Sequence, residues 1–400
     1  MVMHADGDSF FVGCELSRRP DLRGKPVVTG GERGIATAMS MEAKALGVTR
    51  GYPVFKLRKD FPQVIVLPGD YELYENYARR MYSVARRFSS RVEEYSVDEC
   101  FAQLTDTDDC RAVGMDFKRE LQRELGMTFS VSVAPTKVLA KLASKRDKPN
   151  GFVYVAPERI AQELYHMNLA GVWGIGPSSL ARLNLLGLKT VGDLAICDLA
   201  WVKAYFDLPI ENIWRELLGE IVWPVGLGDV SKHKSLSKTR TFNPATGDAV
   251  LLLSQLAKNI ENVFGYARSL GLVALEAELF IKNSDYRYRV YKCKFLSPTS
   301  TPEALVAIAR KELPEMIRAG EKYRTTGVTL YNTRTYTSPQ ADLFGSEIAE
   351  EKRRGAHKVA DLLYHKYDAR VLALASSMSA RDRVGELSSS LPLPHLGEVN

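Results

Sequence analysis

Two acidic clusters punctuate the chain. Asp6-Gly7-Asp8 closes a short apolar run at residues 2–4, and Asp98-Glu99 sits between two strand-like stretches within residues 91–104. Hard divalent cations such as Mg²⁺ need several carboxylate oxygens converging on one point. Acids at strand tips converge when their strands are neighbours in one sheet. An isolated Asp-Glu pair is most often a solvated turn, but residues 95–104 otherwise read as a half-buried strand pair. Acids held together there without a cation would repel one another and titrate high. Lys148 precedes the tight-turn signal Pro149-Asn150-Gly151, and Lys44 lies on a short helix after a glycine-rich loop. Both could neutralise phosphates, and both could equally be ordinary exposed lysines. Trp173-Gly174-Ile175-Gly176, followed by Leu185-Leu186-Gly187-Leu188, can present backbone N–H groups to a phosphate at a helix N-terminus. That is the pattern of a helix-hairpin-helix, which grips nucleic-acid backbones without reading sequence. A structural turn between two helices is the alternative.

These residues need elements to position them. Residues 2–4 read as a strand running into a turn or helix start at Ser9-Phe10-Phe11-Val12, and Val27-Val28 begins another strand. Residues 41–46 before Gly47 read as a short helix with a glycine stop. Residues 71–88 carry apolar side chains at helical spacing with basic ones opposite. Residues 112–125 and 137–145 are helical, and 128–133 alternate as a strand. Interleaved strands and helices to about residue 167 predict an α+β or α/β domain. The next stretch, to about 220, reads all-helical. Residues 232–241 suggest a linker or edge strand. Helices at 249–270 and 302–319, with strands at 275–282, 286–295 and 326–330, then predict a second α+β unit.

The 400 residues are 45% hydrophobic and 26% charged, within the range of globular chains, and leave room for several domains. The longest apolar stretches, at 249–253 and 270–275, are far short of the ~20 residues a membrane span needs. The acidic first residues do not resemble a signal peptide. The five cysteines, Cys14, Cys100, Cys110, Cys197 and Cys293, form no CxxC pair. A reduced, cytoplasmic setting without membrane attachment is therefore expected. Net charge is +6, but residues 231–337 alone hold 17 basic and 9 acidic side chains, so the rest of the chain is slightly negative. That asymmetry suits a phosphate-contacting module.

The assembled motifs resemble those of the Y-family translesion DNA polymerases. The resemblance is carried by 6–11 (Asp-Gly-Asp-Ser-Phe-Phe), 91–99 (Arg-Val-Glu-Glu-Tyr-Ser-Val-Asp-Glu), 134–141 (Ala-Pro-Thr-Lys-Val-Leu-Ala-Lys) and Lys148-Pro149-Asn150-Gly151. Residues 42–48, 71–74 and Val172-Trp173-Gly174-Ile175-Gly176 resemble the UmuC-type branch, whose members are catalytic subunits of bacterial DNA polymerase V. The match is dense over residues 1–200, looser to about 345 and thin beyond.

The resemblance implies a right-hand-like α+β multidomain fold. It would comprise a palm at 1–167 with small fingers inserted at about 30–69, and a helical thumb with the helix-hairpin-helix at 168–230. An α+β little finger at 231–337 and a tail at 338–400 would follow. By the same resemblance, Asp6 and Asp98 would bridge two Mg²⁺ ions, Glu99 would sit by the metal that activates the primer 3′-hydroxyl, and the Gly7 carbonyl would complete the nucleotide-side coordination. Lys44 and Lys148 would hold the incoming deoxynucleoside triphosphate. Phe11 would be the steric gate that excludes a 2′-hydroxyl, with Phe10 beside it. One of that aromatic pair is expected in the core, since strand neighbours face opposite ways. Gly174 and Gly176, with Lys232, Lys234, Lys238, Arg240, Arg287 and Arg289, would contact primed template DNA. Alternation places Arg287 and Arg289 opposite Lys292 and Lys294, so one basic surface would need a bulge near Val290.

Gln340, Asp342, Leu343 and Phe344 fit the peptide by which bacterial polymerases dock on a sliding clamp, Leu-Phe filling an apolar pocket. A UmuD′-like dimer and a RecA filament are further partners that the resemblance suggests. Two positions depart from the pattern. Met41 stands where many relatives carry Tyr, and Asp8 is often not an acid in the UmuC-type branch, so Asp8 is assigned a supporting electrostatic role. Two other functions fit parts of the pattern. A catalytically silent DNA-binding scaffold would lose acids that are retained here. A haloacid-dehalogenase-type phosphohydrolase, with Asp6 as nucleophile and Asp8 as acid/base, would leave the hairpin acids and basic module unexplained.

Overall fold

The computed structural model describes residues 1–31, 34–105, 109–226, 235–336, 346–367 and 372–379. The chain divides into two compact units, Met1–Asp229 and Val230–Asn400.

In the first unit, β1 (Val2–Gly7) leads through a left-handed Ser9 into α1 (Phe10–Arg18). A small lobe follows: β2 (Val27–Thr29), β3 (Ala38–Met39), α2 (Met41–Ala45), α3 (Val54–Asp60) and β4 (Ile65–Leu67). Its three strands pair in the order β3-β2-β4 around a core of its own that includes Val28, Met39, Ala43 and Leu57. Ser40 caps α2 by accepting the Ala43 N–H. Gly47 ends that turn at φ 91°, where a side chain would be strained.

The chain then returns through α4 (Tyr71–Phe88), capped by Asp70, to the hairpin β5 (Val92–Ser96) and β6 (Glu99–Gln103). Helix α5 (Cys110–Leu125), β7 (Phe129–Ala134), α6 (Lys137–Ala143) and β8 (Phe152–Tyr154) complete a five-stranded sheet of order β5-β6-β1-β7-β8. Strand β1 is central and antiparallel to both β6 and β7. Met3 and Ala5 face α4 and α5, while Val2 and Phe101 face α6. Strand β7 does not alternate between buried and exposed as its sequence suggests; all six residues are buried, because apolar layers cover both faces. Its two serines are accommodated by hydrogen bonds, Ser130 to Asp8 and Ser132 to the Ala140 carbonyl.

After short helix α7 (Ile160–Leu164), helices α8 (Pro177–Leu185), α9 (Val191–Ala195), α10 (Leu199–Tyr205) and α11 (Leu208–Leu217) form the all-helical stretch expected after residue 167. They share one apolar core with α6 and the α6-facing side of the sheet, so the helical part is fused to the sheet rather than hinged beside it.

The second unit is a four-stranded antiparallel sheet of order β11-β10-β12-β9. It is built from β9 (Ser235–Thr246), α12 (Ala249–Ser269), β10 (Leu272–Asn283), β11 (Tyr288–Thr299), α13 (Glu303–Met316) and β12 (Tyr323–Thr335). Helices α12 and α13 cover one face through Leu256, Ile260, Phe264 and Leu305, packed on Leu279, Ile281 and Val328. A last helix, α14 (Ser346–Tyr367), is tied to α12 by a two-pronged Arg268–Asp361 pair at 2.7 and 2.9 Å.

The bulge expected near Val290 is absent. The β10–β11 register runs unbroken from Lys282↔Tyr288 to Glu276↔Lys294, and shifts only between Ala274 and Glu276. Alternation holds: Arg289 shares the helix-covered side with Tyr291 and Cys293, while Lys292 and Lys294 lie on the open side.

Candidate active site and nucleic-acid interface

The acids meet at one end of the central strands. Register places Asp6 directly opposite Glu99 across the β1–β6 pair, a like-charge arrangement that a sheet does not favour by itself. The backbone of Asp98 is joined to the same tip, its carbonyl accepting the Gly7 N–H at 2.9 Å, and its carboxylate accepts the Ser96 hydroxyl at 2.8 Å. Gly7 is required here, because a Cβ would fall 2.5 Å from the Phe10 ring.

Lysines answer these carboxylates. Lys148 Nζ lies 2.5 Å from Asp6 Oδ1, and Lys141 Nζ pairs with Glu99 Oε2. Burial pushes the Asp6 carboxyl up, against the pull of the Lys148 ammonium. Burial acts in the same sense on Glu99, but hydrogen bonds from His4 and Lys141 outweigh it and hold the carboxyl down at about 2. His4 is fully buried, and burial lowers its own pKa. Among the described residues, no three His, Cys, Asp or Glu side chains converge on one point as their rotamers stand. Three carboxylates and a glycine carbonyl at one strand tip are nevertheless the hard-oxygen donor set that Mg²⁺ takes, and ammonium groups now balance two of the acids.

Phe10 and Phe11 both lie on α1, not on a strand, so the expectation of opposite strand faces gives the right division for the wrong reason. One residue along a helix turns about 100°. Phe10 enters the core at 4% exposure, which withdraws its side chain from nucleotide contact. Phe11 stacks on Tyr74 with ring centres 4.3 Å apart, and Tyr71 meets it edge-on. Tyr74 is fixed in turn by its hydroxyl, which donates to the buried Glu15 carboxylate at 3.0 Å. Lys44 reaches from the small lobe to the Ser9 hydroxyl at 3.0 Å, so it joins the strand tip. Met41 stands half-exposed at the start of the same helix.

Sequence reasoning left several contributors unassigned. Lys137 and Lys141 are one turn apart on α6, Lys137 pairing with Glu93 at 2.7 Å. Their ammonium groups lie over Phe101 and Tyr95 respectively, and both lie 5.8 Å from the Trp173 ring centre. The i,i+4 lysine spacing was a signal; their acidic partners, on other strands, gave none. In the hairpin, Gly174 has φ 91° and Ile213 packed against it, whereas Gly176 begins α8 with open space around it and no side-chain cap. An open helix N-terminus of this kind presents free N–H groups.

In the second unit the proposed contacts do not form one patch. Lys238 and Arg240 lie on β9 and Arg289 on β11, at opposite edges of the sheet, roughly 14 Å apart at normal strand spacing. Lys238 lies over Tyr266, Arg289 lies 4.0 Å from Glu321, and Arg287 is exposed in the turn before β11. On the open side, Lys292 and Lys294 each pair with the glutamate opposite, Glu278 and Glu276, at 3.4 Å. Lys232, Lys234, Gln340, Asp342, Leu343 and Phe344 lie outside the described residues.

Acids at the tips of adjacent central antiparallel strands, with lysines converging on them and a helical hairpin fused alongside, make a site suited to phosphoryl-transfer chemistry. Comparison with known proteins gives the particular family. The family model of the impB/mucB/samB family matches residues 5–145, and that of its C-terminal domain matches residues 233–343. DNA polymerase IV of Caulobacter vibrioides is 29% identical over 391 residues, covering 95% of this chain and 94% of its own. Protein UmuC of Salmonella typhimurium is 30% identical over 385 residues, covering 91% and 90%. A solved Y-family DNA polymerase chimera, Dbh-Dpo4(243-245)-Dbh, superposes with a TM-score of 0.73 at 23% identity, over 83% of this chain and 98% of that one. The chain belongs to the impB/mucB/samB family of Y-family translesion DNA polymerases. It is a DNA polymerase, and its fold is the right-hand-like α+β architecture that the motifs implied. The phosphohydrolase alternative falls with that membership, and Asp8, engaged by Ser130 and Asn150, is not free to act as an acid/base. Among the described residues, no helix is long and apolar enough to cross a membrane.

Proposed function

We propose that this polymerase extends a primed DNA template by two-metal phosphoryl transfer from deoxynucleoside triphosphates, at low fidelity and without proofreading, in tolerance of damaged templates. The observation that carries the proposal is the register pair Asp6↔Glu99, with Asp98 hydrogen-bonded into the same tip. Two Mg²⁺ ions held there would supply charge stabilisation to both the attacking and the leaving oxygen. Asp6 and Asp98 would hold both ions, Glu99 the primer-side ion and the Gly7 carbonyl the nucleotide-side ion.

The chain's own residues do the positioning. Lys148 and Lys44 approach the tip from two sides, as residues that bind a triphosphate would. Phe11, braced by Tyr71 and Tyr74, offers a rigid ring under the sugar, and a 2′-hydroxyl would meet it. The backbone N–H groups at Gly174 and Gly176 suit DNA phosphates. Lys238, Arg240, Arg287 and Arg289 add contacts at both edges of the second sheet, with Lys232 and Lys234 before it.

We assign the palm to 1–167 with fingers at about 30–69, the thumb to 168–230, the little finger to 231–337 and the tail to 338–400. Residues 340–344 would dock on a sliding clamp. The hairpin sequence at 172–176 favours the UmuC-type branch, and with it a UmuD′-like dimer, RecA and a cytoplasmic setting. Asp98→Ala is the test. Mg²⁺-dependent primer extension should vanish while affinity for primed DNA stays within about twofold, as expected for removal of a metal ligand rather than a DNA contact. Extension at the unaltered rate would overturn the mechanism.

A further inference from the structure

We propose that Asp8 is a positioning residue for Lys148, fixing the turn that carries this lysine to the nucleotide. The proposal rests on the reading of Lys148 as a triphosphate-binding residue. Asp8 Oδ2 accepts the Asn150 backbone N–H at 2.7 Å, and Oδ1 accepts the Ser130 hydroxyl at 2.8 Å. Ser130 is fully buried on β7, where it pairs with Asp6 across the sheet, so it anchors the carboxylate to the sheet. The Asp8 backbone is secured as well, its N–H donating to the Thr128 carbonyl at 3.1 Å.

At the other end, Asn150 adopts φ 60° and its side chain accepts from Gln122. At Gly151 a Cβ would fall 2.3 Å from the Asp147 carbonyl oxygen, so the turn closes too tightly for any side chain there. Lys148 leaves this same turn and reaches Asp6. The two acids of Asp6-Gly7-Asp8 therefore hold one turn from two sides, Asp6 by the lysine ammonium and Asp8 by the backbone.

This differs from the electrostatic role expected of Asp8. A carboxylate near a triphosphate repels it, so the negative charge by itself works against nucleotide binding. What the site uses is the pair of acceptor oxygens. Asn at this position keeps the geometry without the charge: its Oδ1 can accept from Asn150 and its amide can donate to Ser130. Ala keeps neither.

The test is nucleotide KM in steady-state primer extension, measured for the full chain, Asp8→Ala, Asp8→Asn, Lys148→Ala and the Asp8→Ala/Lys148→Ala pair. Asp8→Ala should raise KM about tenfold with a smaller change in kcat, the scale of one charge-assisted hydrogen bond. Asp8→Asn should stay within about twofold of the parent, because its geometry is preserved. In the Lys148→Ala background, Asp8→Ala should add nothing, since both act through one group. Should Asp8→Ala fail to fold, Asp8→Ser, too short to span both partners, takes its place. If Lys148→Ala leaves KM unchanged, the reading of Lys148 is what fails. If Lys148→Ala raises KM but Asp8→Ala does not, or if Asp8→Asn behaves as Asp8→Ala, or if the pair is additive, Asp8 does not position Lys148.

Discussion

Glu216 offers the sharpest test of how the helical part is fused to the five-stranded sheet. Its carboxylate is fully buried, and among the described residues no lysine or arginine pairs with it. Oε2 accepts the Val138 N–H at 3.1 Å in the first turn of α6, and Oε1 accepts both Val222 and Trp223 N–H groups at 2.9 Å. Its carbonyl accepts the Thr136 hydroxyl at 2.9 Å. One residue thus joins α6, which carries Lys137 and Lys141, to α11 and the segment after it. In Glu216→Gln the amide oxygen can keep Val222 and Trp223, but the NH₂ then faces the Val138 N–H, donor against donor. One charge-assisted bond is lost and a buried donor is left unsatisfied, which costs about 2–4 kcal/mol. For a unit of this size, about 3 kcal/mol lowers the melting temperature by roughly 6–12 °C. The assay is thermal melting of the full chain by circular dichroism, following the transition of the first unit. Glu75→Gln is the control: Glu75 and Arg79 form an exposed pair at 3.8 Å, worth at most about 0.5 kcal/mol. If Glu216→Gln melts together with Glu75→Gln, the fusion does not depend on this carboxylate and the reasoning fails.

Two further outcomes follow from the proposed site. Phe11→Ala should admit ribonucleotides, raising their kcat/KM relative to deoxynucleotides by about 10²-fold or more, the discrimination a steric clash supplies; single-nucleotide insertion kinetics with both sugars measure it, and unchanged sugar discrimination would refute the gate. Deleting residues 340–344 should remove clamp stimulation of primer extension and leave basal synthesis intact, read in parallel reactions with and without a loaded clamp. Equal loss of both would point to a folding role instead.

Local pattern carries most of the fold. The helices at 71–88 and 110–125 follow from apolar spacing, an aspartate cap and, for the second, a glycine stop at Gly126. Strands β5 and β6 follow from two short strand-like stretches either side of an acidic turn. Reasoning from alternation went astray where a residue's setting is decided by what covers it. Strand β7 is buried on both faces by helices whose placement no window of nine residues reveals. The basic residues of β9 and β11 are similar in type, but strand order puts them at opposite edges. Strand order is a property of the whole unit, set by which chain segments pair, and composition is silent on it.

The site was legible in its acids and in Lys44 and Lys148, and illegible in the other partners of those acids for a related reason. Asp6, Asp98 and Glu99 announce themselves because charged residues at the ends of apolar strands are costly unless something answers them. What answers them is scattered. Lys148 comes from the turn before β8, Lys141 from α6 and His4 from within β1 itself. Lys141 and His4 are unremarkable in their own windows; only the fold aligns all three. The arrangement has a physical logic beyond pairing. Glu99 titrates low because two donors already hold it, while Asp6 titrates high although a lysine touches it. The two acids opposite one another are therefore not equivalent: two donors favour the charged form of Glu99, whereas burial works against the charge on Asp6. In the proposed reading Lys148, which pairs with Asp6 here, would exchange that carboxylate for a triphosphate. That exchange requires the turn bearing Lys148 to stay in place while its ammonium changes partner, and the Asp8–Asn150 bond is the contact that can hold it.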